Sequence, residues 1–523
     1  MGINRLKVLR LKICEDIQPS NFFDKQSSFQ EGKLMKILYF DIDSLRADHL
    51  GCYGYHRQTS PNIDELSKSS SVFDNVYASD VPCLPSRTAL LTGRFGIHNG
   101  VVNHGGTDAE PAREGRSREF WSRLQLDALP IRMKGRGLQG EQMRTVSISS
   151  FAQRHSAFHW SAVFDESFNV GKFGLETADE VYAIAEDWLK RKGKQSDWFL
   201  HVHMWDPHTP YRTPKDWGER FADDPIPEWY TEEVRAAHWQ GCGPHSAREN
   251  YGYAPDENML AVFPRQPQEI PDMAAARKMF DGYDMGVLMA DYYIGKTLNL
   301  LADLNIDSDT AVIVSSDHGE NLGELNVYGD HQTADLPTTR IPMVIKWPGL
   351  SEDARFNAKH YHMDVFATIL DLLERKIPES WDAKSFASSW RAGQDEGREA
   401  LVLSQAAWAC QRSVRFEDYI YIKTAHDAFH LWEEEMLFDV NEDPHQTKNL
   451  AGTSLNPLQK GRDSLANWRA AMMNDPARGR DPHDNVMEEG GPYHVRGKLE
   501  SYISRLNETN RSSLAKLLAE KHH

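Results

Sequence analysis

The chain has 523 residues, 40% hydrophobic and 26% charged, the balance of a globular protein long enough to bury a large core. Its 59 basic residues are outnumbered by 77 acidic ones, a net charge of -18 that excludes nonspecific binding to nucleic acid or to an anionic membrane surface, so an anionic substrate must find a local basic pocket in a repelling field. Cys14, Cys52, Cys83, Cys242 and Cys410 are scattered without a CxxC pair, so neither a disulfide framework nor a zinc-thiolate site is indicated.

Residues 1–34 differ in character from the rest of the chain and read as an extension outside the fold, with Met35 as a natural start. The N-terminus lacks the order of basic start, apolar run and small-residue cleavage site, and no segment approaches the roughly 18 to 20 apolar residues that span a bilayer, so a cytoplasmic, membrane-free protein is expected. Ile37-Leu38-Tyr39-Phe40 reads as a buried strand ending at Asp41-Ile42-Asp43, at the sheet edge where α/β folds collect ligands. The pattern returns at 198–203, at 311–316 before Asp317-His318, and at 341–345. Apolar residues recur every three or four positions over 178–192 and 273–303, which predicts helices.

This alternation predicts an α/β core over 35–377, a mostly parallel sheet covered by helices on both faces. Within it, 221–272 loses periodicity and gathers Pro225, Trp229, Tyr230, Trp239 and Tyr251, the composition of a lid or binding loop. Short strands at 400–403, 419–422 and 435–439 predict a smaller C-terminal antiparallel subdomain over 378–455. The segment 456–523 reads as a helical tail packed by one stripe, with Leu499, Ile503, Leu506, Leu514, Leu517 and Leu518 at near-helical spacing.

Chemistry concentrates between Pro82 and Arg94. Taken alone, Cys83-Leu84-Pro85-Ser86-Arg87 is a helix start with proline in the first turn, and Thr92-Gly93-Arg94 is a helix stop on glycine. The same residues resemble the maturation signature of the type I, formylglycine-dependent sulfatases of the alkaline phosphatase-like superfamily. The resemblance implies that a formylglycine-generating or equivalent maturation enzyme oxidises Cys83 to an aldehyde. One hydroxyl of its hydrate attacks sulfur, and the other expels sulfate by collapsing to the aldehyde. Arg87 then positions the diol and offsets charge. The implied fold is alkaline-phosphatase-like, in line with the strand-helix alternation.

Asp41-Ile42-Asp43-Ser44-Leu45-Arg46 resembles the N-terminal metal motif of that family, with Ser44 where a second aspartate is usual. Asp43 is the expected ligand, and Asp41, on the same strand face, is a ligand or stands behind one. Ser316-Asp317-His318-Gly319-Glu320 resembles the second metal motif, so Asp317 and His318 join Asp43 and residue 83 around a divalent cation. Carboxylate oxygens suit Ca²⁺, while an imidazole leaves Mn²⁺ or Mg²⁺ open. In His201-Val202-His203-Met204-Trp205-Asp206-Pro207-His208, His208 matches the family histidine that protonates the leaving oxygen.

Two departures stand out. The usual Gly-Lys-x-His is replaced by Ser149-Ser150-Phe151-Ala152-Gln153-Arg154-His155, where His155 takes the place of the histidine and Arg154 offers a cation. The late sulfate-gripping lysine is absent, and His331 in Tyr328-Gly329-Asp330-His331 is the nearest substitute. The implied activity is hydrolysis of a sulfate ester, and the aromatic insertion and histidine-rich edge favour a sulfated mono- or oligosaccharide. The rivals are a phosphodiester or phosphonate monoester hydrolase of the same superfamily and a catalytically dead sugar-binding homologue.

Overall fold

The computed structural model describes residues 35–113, 124–134, 143–350, 353–474 and 479–522. Residues 1–34, read as an extension, lie outside the described residues, and Cys14 with them. Residues 35–523 form one compact unit containing two main sheets. No helix among the described residues is long and apolar enough to cross a membrane.

The larger sheet is built on β1 (Lys36–Ile42), β2 (Ser71–Tyr77), β4 (Arg144–Ile148), β5 (Glu166–Phe168), β6 (Trp198–Met204) and β7 (Thr310–Ser315), with the two-residue β3 (Asp80–Val81) belonging to the smaller sheet. Its heart runs β7-β1-β6-β4-β5 with every pair parallel. Beyond β7, Met343–Lys346 and then β2 pair antiparallel.

All seven residues of β1 and of β6 are buried, because helices cover both faces. Alternate side chains divide between two cores. Leu38, Phe40 and Ile42 pack with Trp188, Leu189 and Ile294 from helices Ala178–Lys192 and Met273–Asp303. Ile37 and Tyr39 pack with Met363, Phe366 and Ile369 of helix His362–Leu372. Each such apolar side chain contributes about 1.5–3 kcal/mol on burial. The same alternation sends Asp41, His201 and His203 to the face of Tyr39, where polar partners meet them.

The smaller sheet joins Ala400–Gln405, Cys410–Phe416, Tyr419–His426 and Glu435–Asp439 in antiparallel order, as expected after Pro378. At its edge β3 pairs parallel with Ala400–Gln405, two residues before Cys83, so the segment leading into the candidate nucleophile is stitched to this sheet. The fold is therefore the expected mostly parallel α/β sheet with a smaller antiparallel one. Helices Leu499–Glu508 and Ser512–His522 dock through Tyr502, Leu506, Ala515 and Leu518, while Leu517 is half exposed.

Candidate active site

Cys83 opens helix Cys83–Thr92 and is 1% exposed. The helix stops where Gly93 turns left-handed at φ +63°, and a Cβ there would lie 2.0 Å from Trp381, so only glycine fits. Ser86, one turn in, donates its hydroxyl to the Asp317 carbonyl at 2.6 Å and accepts from His362 Nε2 at 3.3 Å. The nucleophile helix is thereby tied to the segment after β7.

Arg87, one turn beyond Cys83 and wholly buried, organises the carboxylates. Its Nε donates to Asp41 Oδ2 at 2.9 Å and its Nη2 to Asp41 Oδ1 at 3.2 Å. Nη1 donates to Asp43 Oδ2 at 3.0 Å and to Asp317 Oδ2. His201 Nε2 lies 3.0 Å from Asp41, and His203 Nε2 lies 3.2 Å from Asp43. Ser147 and Ser149 hydroxyls hold the other ring nitrogens of these histidines at 3.0 and 2.7 Å. Both oxygens of Asp41 bond Arg87, and Asp41 is not among the described groups whose ligand atoms cluster closely enough to hold an ion.

Those groups are Asp43, Cys83, Asp317 and His318, whose ligand atoms lie within 4.8 Å of one another. His318 Nε2 is 3.1 Å from Cys83 Sγ, and the Ser44 hydroxyl donates to Asp43 Oδ1 at 3.1 Å. Three buried carboxylates share one guanidinium, an excess of negative charge that fits a divalent cation. Ser44, in the position of the usual second aspartate, orients Asp43 and, through its N–H, Asp317.

The electrostatics result from crowding. Burial would raise Asp43, but Arg87 and nearby histidines hold its carboxyl well below the usual range. Burial pushes Asp317 up to about 7, with Arg87 opposing and Asp43 adding to the rise. Two facing carboxylates ionise one after the other. Burial, then Asp43 and Asp317, raise the Cys83 thiol well above its ordinary range.

A cavity of about 890 Å³ opens on Cys83 and is also lined by Arg154, His155, His208 and His331. Cys83, His208 and His331 present ligand-type atoms within 4.8 Å of one another. His208 directs Nδ1 to the Thr209 carbonyl, and burial lowers it to about 3. His331 and His155 are also lowered, by burial first and then by neighbouring histidines, and His155 Nε2 has no partner. The nine expected site residues thus gather in one region: four line the cavity, while Asp41, Asp43, Arg87, Asp317 and His318 are not among its lining residues.

The insertion is a cavity wall, through His245, Asn250, Tyr251, Asp256, Met259 and Gln266. Its crowded aromatics mostly anchor it: Tyr230 is buried with its hydroxyl 2.6 Å from that of Tyr328, and Trp229 stacks on His445 at 4.5 Å. Only Tyr251 of that group faces the cavity. Sequence reasoning missed His104, Trp408, Tyr493 and His494, which also line it. His494 Nε2 is 3.0 Å from His104 Nδ1, and its ring stacks on Trp408 at 4.3 Å. No local pattern marks residues so far apart in the chain. Glu320, part of the second metal motif, carries an unpartnered buried Oε2 and receives the Tyr211 hydroxyl at 3.0 Å.

Four cysteines among the described residues are free, Cys83, Cys242 and Cys410 of them buried. Fold and site together define a hydrolase of the alkaline phosphatase-like superfamily, with clustered carboxylates and a cysteine at a helix start by the carboxyl edge of a parallel sheet. The family model for sulfatases matches residues 36–375, and the chain belongs to the sulfatase family of sulfuric ester hydrolases. It is 26% identical over 469 residues to an ulvan-active sulfatase of Formosa agariphila, covering 85% of this chain and 83% of that one. Among solved structures it is similar to BT4656, solved with its substrate D-glucosamine-2-N,6-O-disulfate, at TM-score 0.65 and 17% identity, covering 86% of this chain and 100% of that one. It is also similar to the phosphonate monoester hydrolase of Agrobacterium radiobacter, at TM-score 0.62 and 17% identity, covering 84% of this chain and 96% of that one.

Proposed function

We propose that this chain cleaves the sulfate ester of a sugar, using formylglycine made from Cys83 by a maturation enzyme and a divalent cation, Ca²⁺ in first place. The observation that carries the reading is the position of Cys83: at a helix start, 3.1 Å from His318 Nε2, grouped with Asp43 and Asp317, and open to the cavity. Bound there, the cation supplies charge neutralisation on the sulfuryl oxygens, and converted residue 83 supplies the attacking hydroxyl.

The chain's own residues do the rest. Arg87 draws Asp43 and Asp317 together and is itself fixed by Asp41. With Asp43 and Asp317, His318 would hold the cation through Nε2, beside residue 83. His208 donates a proton to the departing alcohol; burial disfavours its charged form, and the negative charge of an entering sulfate ester favours its protonation. Arg154 and His331 face the sulfate in place of the family lysines, and His155 stands in for the motif histidine. A sulfated sugar is supported by the substrate of the similar BT4656 structure.

The test is mass spectrometry of the tryptic peptide Ser69–Arg87 from a host able to mature it, followed by parallel assays on sulfate esters, a phosphate diester and a phosphonate monoester. Aldehyde in place of thiol together with sulfate release supports the reading. An unconverted Cys83 favours a sugar-binding homologue. A preference for phosphorus esters favours the second reading, which the likeness to a phosphonate monoester hydrolase keeps in view.

A further inference from the structure

The cavity wall supplied by the insertion is rich in acceptors. Asn250 Nδ2 donates to the Pro267 carbonyl at 2.6 Å, and Gln266 Nε2 donates to the Asn250 carbonyl at 3.3 Å, which fixes both amides. Their oxygens, Asn250 Oδ1 and Gln266 Oε1, have no partner, although the residues are 0% and 2% exposed. His245 is paired through Nε2 with Asp330 Oδ2 at 2.9 Å, and its Nδ1 has no partner.

Carboxylates outnumber lysines and arginines on the described lining of this cavity. Glu110, Asp256 and Asp330 line the cavity, and among its described lining residues Arg154 is the one lysine or arginine. Arg154 lies over the Trp205 ring at 5.0 Å, and Trp205 in turn abuts His208 and His203. Arg154 therefore lies on the His208 side of the cavity, and no other lysine or arginine is among the described lining residues.

Resting on the proposed sulfatase activity, we infer that the cavity wall supplied by the insertion selects a sugar ring that presents hydroxyl or ammonium donors and carries no anionic group besides the sulfate being cleaved. Desolvated acceptors are satisfied only by donors, and a site built this way rejects a ligand that lacks them. A second sulfate or a ring carboxylate brings acceptors alone, and a charge of the same sign as Glu110, Asp256 and Asp330.

The test uses the full chain with residue 83 converted. Hexose and hexosamine monosulfates differing in sulfate position are compared, by sulfate release, with matched rings bearing a second sulfate or a carboxylate. The preferred monosulfate is expected to exceed its second-anion counterpart by about ten-fold or more in kcat/KM. Combining Asp256→Asn with Glu110→Gln should narrow that ratio several-fold. Equal or faster cleavage of the second-anion sugar overturns the inference, as does turnover of 4-nitrophenyl sulfate with no sugar monosulfate cleaved. Failure of the sulfatase reading looks different, with no sulfate released from any ester, 4-nitrophenyl sulfate included. Calorimetric binding of the same panel then decides: tighter binding of monosulfates supports the inference, and tighter binding of second-anion sugars, or no sugar binding, overturns it.

Discussion

Asp41 grips Arg87 through two hydrogen bonds, Nε to Oδ2 at 2.9 Å and Nη2 to Oδ1 at 3.2 Å, with both side chains fully buried. This pair aims the remaining guanidinium nitrogen at Asp43 and Asp317, so a residue outside the ion-holding group sets that group's geometry. Asp41→Ala leaves a buried guanidinium short of a partner and should destabilise the protein by about 3 kcal/mol, read by chemical denaturation. An unchanged midpoint would show that Asp41 is not holding Arg87.

Cys83→Ala should retain the fold, because Cys83 packs with Leu84, Leu91 and Phe151 in a small apolar cluster and loses only a sulfur. Turnover should fall to background. Full activity in this variant, with an unchanged circular dichroism spectrum, would exclude residue 83 as nucleophile.

His208→Gln separates acid catalysis from binding. Loss of a positioned general acid costs about 10²-fold or more when the leaving group is a sugar alkoxide, and far less when it is 4-nitrophenolate, which departs without a proton. The ratio of the two rates in wild type and variant is the measurement; an equal loss on both substrates points to a positioning role instead.

The metal-free protein should show a defined pH dependence. Asp317 is raised to about 7 in the folded chain, above its ordinary carboxylate value, chiefly by burial. The folded state then holds a proton that the unfolded state has released, so this group's contribution is fully present below the ordinary carboxylate range and is lost as pH rises toward 7. A cation needs the ionised carboxylate, so the gain in Tm on adding Ca²⁺ after EDTA treatment should be larger at pH 7.5 than at pH 5.5. A larger gain at the lower pH would contradict the assignment of Asp317 as a ligand.

His494→Ala removes the 3.0 Å contact with His104 and the stack on Trp408 from the tail side of the cavity. Since the segment is also held through Tyr493 N to Asn103 at 3.3 Å and His494 N to Ala407 at 3.1 Å, the wall should loosen without unfolding. The expected result is a KM raised by about five- to ten-fold with kcat less affected, at a cost near 1 kcal/mol. An unchanged KM would place His494 outside substrate binding.

The alternating and continuous apolar runs determine the sheet by themselves, because strands covered on both faces, such as Lys36–Ile42 and Trp198–Met204, have no other way to bury their side chains. Short motifs likewise mark the candidate site residues: Cys83 opens a helix, and Asp43, Asp317 with His318, and His208 follow β1, β7 and β6, whose parallel pairing brings them to one edge. What only the tertiary structure decides is how they share charge and what surrounds the substrate. Asp41 and Asp43 are two residues apart on one strand and look alike in sequence, yet one binds Arg87 with both oxygens and the other joins the ion-holding group. The insertion's aromatics look like a sugar platform, yet most are spent anchoring it, and the cavity is closed by His104, Trp408 and His494, which chain folding alone brings together. Periodicity and motifs record contacts between near neighbours in the chain; a wall assembled from positions hundreds of residues apart leaves no such record, because its physical cause is packing between elements.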